Sequence, residues 1–314
     1  MKIVILAPKK EFTKKQQERL AKLGQIAYSK NRDEYSHKAL LTLCQNAQIL
    51  APDPDNLGGF EKAKENLNKL VKEIPTLKGL ALSTTSYGWV DLDLCKKRGL
   101  PVANIPHYSR ESVAEHTLAL LFCLAKRIIE TDRQTHKGQY LLQMGFELKG
   151  KTLGIIGLGS IGSRVAELGL AIGMKGIAYN RSFKKQLGVE MKSLPEVLRQ
   201  SDALSIHLKD GEETENFLCK KEINMMKKGV IIVNTADRGI INEKELATAL
   251  KSRQVFGYAY EGEDLENTPL AKIDTAIGLK GFGWYTKEAL NNLVEIWIKN
   301  IEGMVKDRPE NLVK

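Results

Sequence analysis

Short apolar runs alternate with stretches of helical periodicity along the chain. Apolar runs at residues 2–7, 25–28, 48–51 and 77–84 predict strands, and the segments that separate most of them place apolar residues at helical spacing. Such alternation predicts parallel sheets that are covered by helices. The pattern therefore indicates an α/β fold.

The longest predicted helix covers residues 109–133. Its apolar positions keep helical spacing, and Ser112 with Glu115 fits a capping box. Apolar side chains occupy more than one face between residues 118 and 122, which predicts burial against another domain or a second subunit. We interpret this helix as the connection between two domains.

Residues 151–182 carry the strongest functional pattern. An apolar strand leads into Gly157, Gly159 and Gly162, and a helix and a second apolar run follow. In a βαβ unit of this length, the first glycine permits a tight turn, the second lets the backbone approach a pyrophosphate, and the third lets the helix pack on the strand. The helix N-terminus offers free N–H groups to phosphates. The pattern predicts dinucleotide binding, with a glycine-rich turn that has no ligand as the alternative.

The end of the second strand indicates which dinucleotide binds. NAD sites usually place a carboxylate there to accept hydrogen bonds from the ribose 2′-OH. Asn180 occupies this position, and Arg181 and Ser182 follow, so a cation and a hydroxyl stand where a 2′-phosphate would lie. We expect NAD(P) with a preference for NADP(H). The alternative is a solvated basic loop in which the Asn180 amide serves NAD.

Composition narrows the class of protein. The 314 residues exceed one typical domain. Although the net charge is +10, the lysines form scattered pairs without a long basic run, so we expect an anionic small molecule rather than nucleic acid as the ligand.

Apolar runs and cysteines indicate the compartment. No apolar run approaches the roughly 18 residues of a membrane span, and the first ten residues read as a strand rather than a signal peptide. The four cysteines are widely spaced and form no CxxC. We therefore expect a cytoplasmic protein with reduced thiols, no membrane partner and no metal site.

The chain resembles the D-isomer-specific 2-hydroxyacid dehydrogenase family along nearly its whole length. The segments that carry the resemblance are VDLDLCKKRGLPVANIPHYSRESVAEHTLALL, the GLGSIG unit, SDALSIHL, MKKGVIIVNTADRGIINEKEL, GYAYEGE and GWYTKEAL. The resemblance implies a flavodoxin-like substrate domain of residues 1–103 and 285–314, and a Rossmann dinucleotide-binding domain of residues 104–284. It also implies a homodimer that transfers hydride between a nicotinamide and a small 2-hydroxy or 2-keto acid.

The same resemblance implies the ligand contacts. The loop from Ser83 would present backbone N–H groups to a substrate carboxylate, through Thr84, Thr85, Ser86 and Tyr87. Besides the three glycines and residues 180–182, the cofactor would be lined by Ser160, Ile161, His207, Leu208, Thr214, Thr235 and Ala236.

Two of the three catalytic positions of the family are altered. The family takes an arginine from an NTxRG motif, a glutamate that follows the next strand, and a histidine from a TPH motif. Here Asp237 stands in place of the arginine and Gly281 in place of the histidine, and no histidine follows His207. Glu263 matches the family glutamate, while Tyr258 replaces an aspartate of the same segment.

We carry two hypotheses from this departure. In the first, the protein is an oxidoreductase with a rebuilt site: Arg238 binds the anion, Lys280 or Tyr258 donates the proton, and Glu263 is the partner of the donor. A desolvated lysine has its pKa lowered toward neutrality, which suits it to this role.

In the second hypothesis, the protein is a dinucleotide-binding sensor or regulatory protein that lacks dehydrogenase activity. Lys280 would then be an ordinary surface lysine, and Arg238 would form an ion pair with Asp237 or Glu243.

Overall fold

The computed structural model describes residues 1–209 and 211–313, which form two compact units. The first unit combines Met1–Tyr108 with Lys287–Lys314, and the second is Ser109–Thr286. Within the described residues, no helix has both the length and the apolar character needed to cross a membrane.

The first unit contains a five-stranded parallel sheet in the order β2-β1-β3-β4-β5. Flavodoxin-like sheets have this order. Its elements are β1 (Lys2–Pro8), α1 (Lys14–Ala21), β2 (Gln25–Ser29), α2 (His37–Cys44), β3 (Ile49–Ala51), α3 (Gly59–Glu73), β4 (Gly79–Ala81), α4 (Leu92–Lys97), β5 (Val102–Ala103) and, at the end of the chain, α11 (Lys287–Val305).

Alternate side chains of β1 enter two separate cores of the first unit. Val4 and Leu6 pack with residues of α2 and α3, whereas Ile3 and Ile5 pack with residues of α11. This two-sided burial explains why the strand is a nearly continuous apolar run.

The second unit contains a seven-stranded parallel sheet in the order β12-β11-β10-β9-β6-β7-β8. Its elements are α5 (Arg110–Lys126), α6 (Ile128–Thr135), β6 (Thr152–Ile156), α7 (Ser160–Ala171), β7 (Lys175–Tyr179), β8 (Val189–Met191), α8 (Leu194–Gln200), β9 (Ala203–Ile206), α9 (Lys220–Met225), β10 (Val230–Asn234), α10 (Glu243–Lys251), β11 (Val255–Glu261) and β12 (Ala276–Leu279).

The strand order reverses between β6 and β9. The chain runs outward from β6 through β7 to β8 and then returns to β9 on the other side of β6. Open α/β sheets bind ligands at such a switch point, outside the carboxyl ends of the strands. The predicted fold class, two parallel α/β sheets covered by helices with a Rossmann unit, is confirmed.

The long helix predicted at residues 109–133 is wrong in one respect: it is two helices. Arg127 separates α5 from α6 with a left-handed φ of 56°. Its guanidinium pairs with Glu130 through two hydrogen bonds of 2.8 and 2.6 Å and lies 5.2 Å from the centre of the Phe256 ring. The contact with Glu130 is local, whereas the contact with Phe256 is tertiary, so the left-handed conformation is supported in part by a residue that the neighbouring sequence does not reveal.

The predicted capping box is also wrong. Ser109 is the residue that precedes α5, and Ser112 lies buried inside the helix. The Ser112 hydroxyl donates a hydrogen bond to the backbone carbonyl of Gly283, so a tertiary partner takes the place of the predicted cap.

Candidate active site

Four neighbouring strands of the second unit bring the predicted cofactor residues to one edge. The strands β10, β9, β6 and β7 lie side by side and run parallel, so their carboxyl ends share that edge. This edge carries, in order, residues 235–236, residues 207–208, the glycine loop and residues 180–182. Ser160 and Ile161 open α7 directly behind the loop.

The three glycines meet different surroundings. Gly157 has a φ of +95°, and a Cβ there would lie 2.4 Å from the carbonyl oxygen of His207. A Cβ on Gly162 would lie 2.1 Å from the carbonyl oxygen of Gly157. At Gly159 no atom lies within 4 Å of the Cβ position. The first and third glycines are therefore required by the packing of the protein itself, whereas the second leaves open space for a ligand.

The Asn180 side chain closes the turn beside the glycine loop. Its Oδ1 accepts a hydrogen bond of 3.1 Å from the Leu158 backbone N–H, and its Nδ2 donates to the Ser182 carbonyl at 2.8 Å. Arg181 points outward with 87% of its side chain exposed and lies 2.7 Å from an equally exposed Glu213 carboxylate. An exposed pair of this kind is weak, so the Arg181 guanidinium remains available to a stronger anion.

Next to the glycine loop, His207 is held as a neutral imidazole. Its Nε2 lies 2.7 Å from the Ser205 hydroxyl, and burial lowers its pKa to about 3. The neighbouring Leu208 is half-buried. Thr214 is half-buried in the following loop, where its hydroxyl donates to the backbone carbonyls of Lys209 and Gly211.

A buried asparagine shapes the loop that carries Thr235 and Ala236. Asn234 accepts a hydrogen bond from the Ala236 N–H at 3.0 Å and donates to the Asp237 carbonyl at 2.9 Å. The Thr235 hydroxyl lies 3.2 Å from that of Thr117 in α5. The backbone at the end of β10 is thus fixed by side chains around it.

In the first unit, the loop after β4 is held by side-chain hydrogen bonds and leaves several backbone N–H groups unused. The Thr84 hydroxyl donates to the Ser86 carbonyl at 2.6 Å, and Trp89 Nε1 donates to the same carbonyl at 3.0 Å. Tyr87 is half-buried. Among the described residues, no protein acceptor receives a bond from the backbone N–H groups of residues 85–88. The Thr85 hydroxyl ties the loop to Ile105.

Arg238 is engaged rather than free. Its guanidinium forms two hydrogen bonds with the Glu243 carboxylate, and Nη1 donates to the backbone carbonyl of Glu263. This is the ion-pair alternative that the sequence left open. Asp237 does not pair with it: the Asp237 carboxylate accepts the Gly239 N–H at 2.6 Å and caps the short helix Arg238–Ile240.

The structure excludes Tyr258 as the proton donor. Its side chain is fully buried in β11, where its hydroxyl accepts a hydrogen bond of 3.3 Å from Asn234, and burial raises its pKa. Lys280 and Glu263 are both exposed, and within residues 1–209 and 211–313 no ion pair joins them. Of the two donors considered, Lys280 alone is exposed, so it lacks the desolvated surroundings that the sequence hypothesis invoked for a proton-donating lysine.

Two residues that the sequence did not single out face each other at this edge. His116 Nε2 lies 3.2 Å from Glu261 Oε1, and the two side chains are 14% and 11% exposed. The same carboxylate oxygen accepts the backbone N–H groups of Phe282 at 3.1 Å and Gly283 at 2.8 Å. The sequence contained two signs of this pair. Ser112 and His116 lie four residues apart on one predicted helix, and Glu261 is a second glutamate close to Glu263.

Comparisons with known proteins agree with this geometry. Residues 118–278 match the model of the D-isomer specific 2-hydroxyacid dehydrogenase NAD binding domain. The glyoxylate reductase of Aeropyrum pernix is 34% identical over 262 residues, which cover 78% of each chain. The hydroxypyruvate reductase of Blautia hydrogenotrophica is 32% identical, over 78% of this chain and 81% of its own length.

Several solved structures match over the full length of both chains. One of them is an acyclic imino acid reductase in complex with NADPH and D-Arg, which superimposes with a TM-score of 0.84 at 26% identity. All three similar proteins are named as reductases, and none is named as a sensor. The chain belongs to the D-isomer-specific 2-hydroxyacid dehydrogenase family and is an NAD(P)-dependent oxidoreductase that acts on a small-molecule substrate.

Proposed function

We propose that the protein is a reductase that prefers NADPH and delivers hydride to C2 of a small 2-keto acid or of the corresponding imine. The observation that carries the cofactor preference is the pair Asn180 and Arg181: the end of β7 has an amide in place of the carboxylate that would repel a 2′-phosphate, and an exposed guanidinium follows it.

Calorimetric titration of NADPH and NADH tests this preference. Charge-assisted hydrogen bonds to a partly exposed phosphate contribute about 1.5–3 kcal/mol, so NADPH should bind about ten- to a hundredfold more tightly. Arg181→Ala should remove most of the difference, whereas Glu213→Gln should increase it by freeing Arg181 from its partner. Equal or tighter binding of NADH to the unmodified protein would contradict the proposal.

The proposed roles of the remaining residues follow their accessibility. In the first unit, the backbone N–H groups of the loop Ser83–Tyr87 are the candidates for binding the substrate carboxylate. In the second unit, Lys280 is the candidate proton donor to a developing alkoxide, and Glu263 is its candidate partner. Arg238 has a structural role. An anion could bind its guanidinium only by displacing the Glu243 carboxylate.

The carboxylate of Asp237 makes a C=N bond of the substrate the second candidate for the group that is reduced. A guanidinium polarises a carbonyl because it stabilises negative charge on oxygen, whereas a carboxylate stabilises the positive charge of an iminium nitrogen. Asp237 stands at the family's arginine position and is exposed. Hydride transfer from NADPH to an iminium carbon gives an amine and NADP⁺ without a further proton, so the missing histidine would not be needed.

A rate comparison separates the two substrates. NADPH consumption is measured with glyoxylate alone and with glyoxylate plus methylamine, which form an imine, at the same pH and ionic strength. A rate that depends on the amine supports the imine, and a rate that is the same without it supports the 2-keto acid. Sodium chloride in place of methylamine hydrochloride controls for salt.

We also propose a cytoplasmic homodimer. The four cysteines are free thiols, which suits a reducing compartment.

An exposed apolar strip of the second unit, defined here as residues 140–144, includes Tyr140, Leu142 and Met144 at 87–89% exposure, and exposed apolar patches mark interaction sites. Leu142→Lys with Met144→Lys should produce a monomer in sedimentation velocity, whereas Leu187→Lys, at an equally exposed position elsewhere, should not. An unmodified protein that sediments as a monomer at micromolar concentration would contradict the dimer.

A further inference from the structure

The pair His116 and Glu261 joins three separate parts of the second unit. His116 belongs to α5, Glu261 is the last residue of β11, and the carboxylate also holds two backbone N–H groups that follow β12. Burial raises the pKa of Glu261, but the close approach of the His116 ring and the hydrogen bonds from the two backbone N–H groups outweigh burial, so the pKa lies below its ordinary value. The carboxylate is therefore ionised near neutral pH, and its Oε1 receives all three contacts.

The backbone of Gly283 is held from three sides. Its N–H donates to Glu261, its carbonyl accepts from the Ser112 hydroxyl, and the His116 ring packs against its Cα. A Cβ at this position would lie 2.7 Å from His116 Cδ2. The contact between the His116 and Phe282 rings, with centres 5.1 Å apart, extends the same packing to the preceding residue.

This arrangement fixes both ends of a very short segment. Leu279 is held in β12, where it pairs with Glu261 and its carbonyl accepts the Gly262 N–H at 2.9 Å. Phe282 is held by the Glu261 carboxylate. Lys280 and Gly281, which lie between these two anchors, have little freedom to move while Glu261 and His116 stay in place.

We propose that Glu261, oriented by its contact with His116, is a positioning residue for the reduction, because it anchors the short segment that carries Lys280, the proposed proton donor. The inference rests on the proposed reductase function. Neither residue has to touch the substrate. Placement errors of about 1 Å far from the reacting atoms slow enzymes by about a hundredfold, and sites of this kind depend on the side chains that support them.

Steady-state kinetics with glyoxylate and NADPH, without an amine, test the proposal on the full-length protein, because this reaction needs the proton that Lys280 would donate. Glu261→Ala should lower kcat by about ten- to a hundredfold, while the KM for glyoxylate and the Kd for NADPH change by less than about threefold. Glu261→Gln should restore most of kcat, since its amide oxygen still accepts the two N–H groups. His116→Ala should resemble Glu261→Ala, and Glu266→Ala, at an exposed position nearby, should behave like the unmodified protein.

Amide hydrogen exchange supplies a readout that does not depend on turnover. The peptide that covers residues 280–286 should exchange faster in Glu261→Ala and in His116→Ala than in Glu261→Gln, at an unchanged melting temperature. Unchanged kcat in Glu261→Ala, or a parallel loss of NADPH affinity and thermal stability in all variants, would overturn the positioning role. An unmodified protein that turns over neither glyoxylate nor its imine would instead overturn the proposed function, and with it this role.

Discussion

Arg238 and Glu243 form two parallel hydrogen bonds, from Nε to Oε1 at 2.8 Å and from Nη2 to Oε2 at 3.0 Å. Both side chains are largely buried, at 24% and 16% exposure. The pair stabilises the loop after β10, because the same guanidinium also reaches the carbonyl of Glu263 beyond β11. Its first consequence concerns stability rather than ligand binding.

Arg238→Ala should therefore lower the free energy of unfolding by about 1–3 kcal/mol, since Glu243 would lose its charged partner in a mostly buried position. Urea unfolding measures this effect. Arg181→Ala is the matched control, because it removes an arginine whose ion pair is almost fully exposed, and it should change stability little. Equal stability of the Arg238→Ala and unmodified proteins would show that the pair contributes nothing.

Asn180→Asp should reverse the cofactor preference. The new carboxylate keeps an acceptor for the Leu158 N–H but loses the donor to the Ser182 carbonyl. It repels a 2′-phosphate and accepts hydrogen bonds from the ribose hydroxyls of NADH. We expect NADPH affinity to fall about ten- to a hundredfold while NADH affinity rises, as measured by calorimetry. Asn180→Ala separates the loss of the amide from the gain of charge. Unchanged NADPH affinity in Asn180→Asp would show that the phosphate lies elsewhere.

His207 makes stability depend on pH. Burial lowers its pKa from 6.5 to about 3, so below pH 6.5 the unfolded chain binds a proton that the folded protein does not. Stability from this residue is complete above about pH 6.5 and is lost as the pH falls toward 3. Urea unfolding of the unmodified protein between pH 7 and pH 4.5 should show a steeper loss than His207→Gln.

The exposed His136 provides the control for this pH series, because its side chain is 79% exposed. His136→Gln should follow the unmodified protein at every pH. A His207→Gln protein whose stability falls just as steeply would mean that other groups account for the acid sensitivity.

Restoring the family pattern should increase activity on a simple 2-keto acid. Among the described residues, no atom beyond its chain neighbours lies within 4 Å of the Cβ position of Gly281, so the backbone there accepts a side chain. Asp237→Arg removes the cap on Gly239, so some stability is lost. Since a positioned acid contributes about a hundred- to ten-thousandfold, the double variant should reduce glyoxylate at least about tenfold faster than the unmodified protein, by NADPH absorbance.

Asp237→Arg with Gly281→Ala is the control for this gain, because it changes the same backbone positions without supplying an acid. Equal rates in the two double variants would show that the histidine position no longer faces the reacting atoms.

The sequence predicted those parts of the molecule that depend on local pattern. The strand, glycine loop and helix of β6 and α7 follow from neighbouring residues, and so does the absence of a carboxylate at Asn180. The break at Arg127 was not predictable, because it depends on Phe256, which lies far along the chain. The approach of His116 to Glu261 was missed for the same reason: the helix and the strand that carry them meet only in the folded sheet.

The pairing of Arg238 shows a limit of a different kind. From the sequence, Arg238 could either bind an anionic ligand or form an ion pair with a carboxylate, and both roles use the positive charge of its guanidinium. The ion pair forms because Glu243 begins α10 just after the loop, where both geometry and burial favour it. Residue type alone does not distinguish these outcomes, whereas the distance between two atoms does.

The three glycines of the loop are required for two different reasons. Gly157 and Gly162 are demanded by the backbone around them, so a descendant of this protein that lost its cofactor altogether would still have to keep both in order to fold. A Cβ added at Gly159 would meet no other part of the described chain within 4 Å, so the packing does not select against a side chain there, whereas a bound dinucleotide would. Among relatives of this chain, retention of Gly159 therefore indicates ligand binding, whereas retention of Gly157 and Gly162 indicates that the fold is kept.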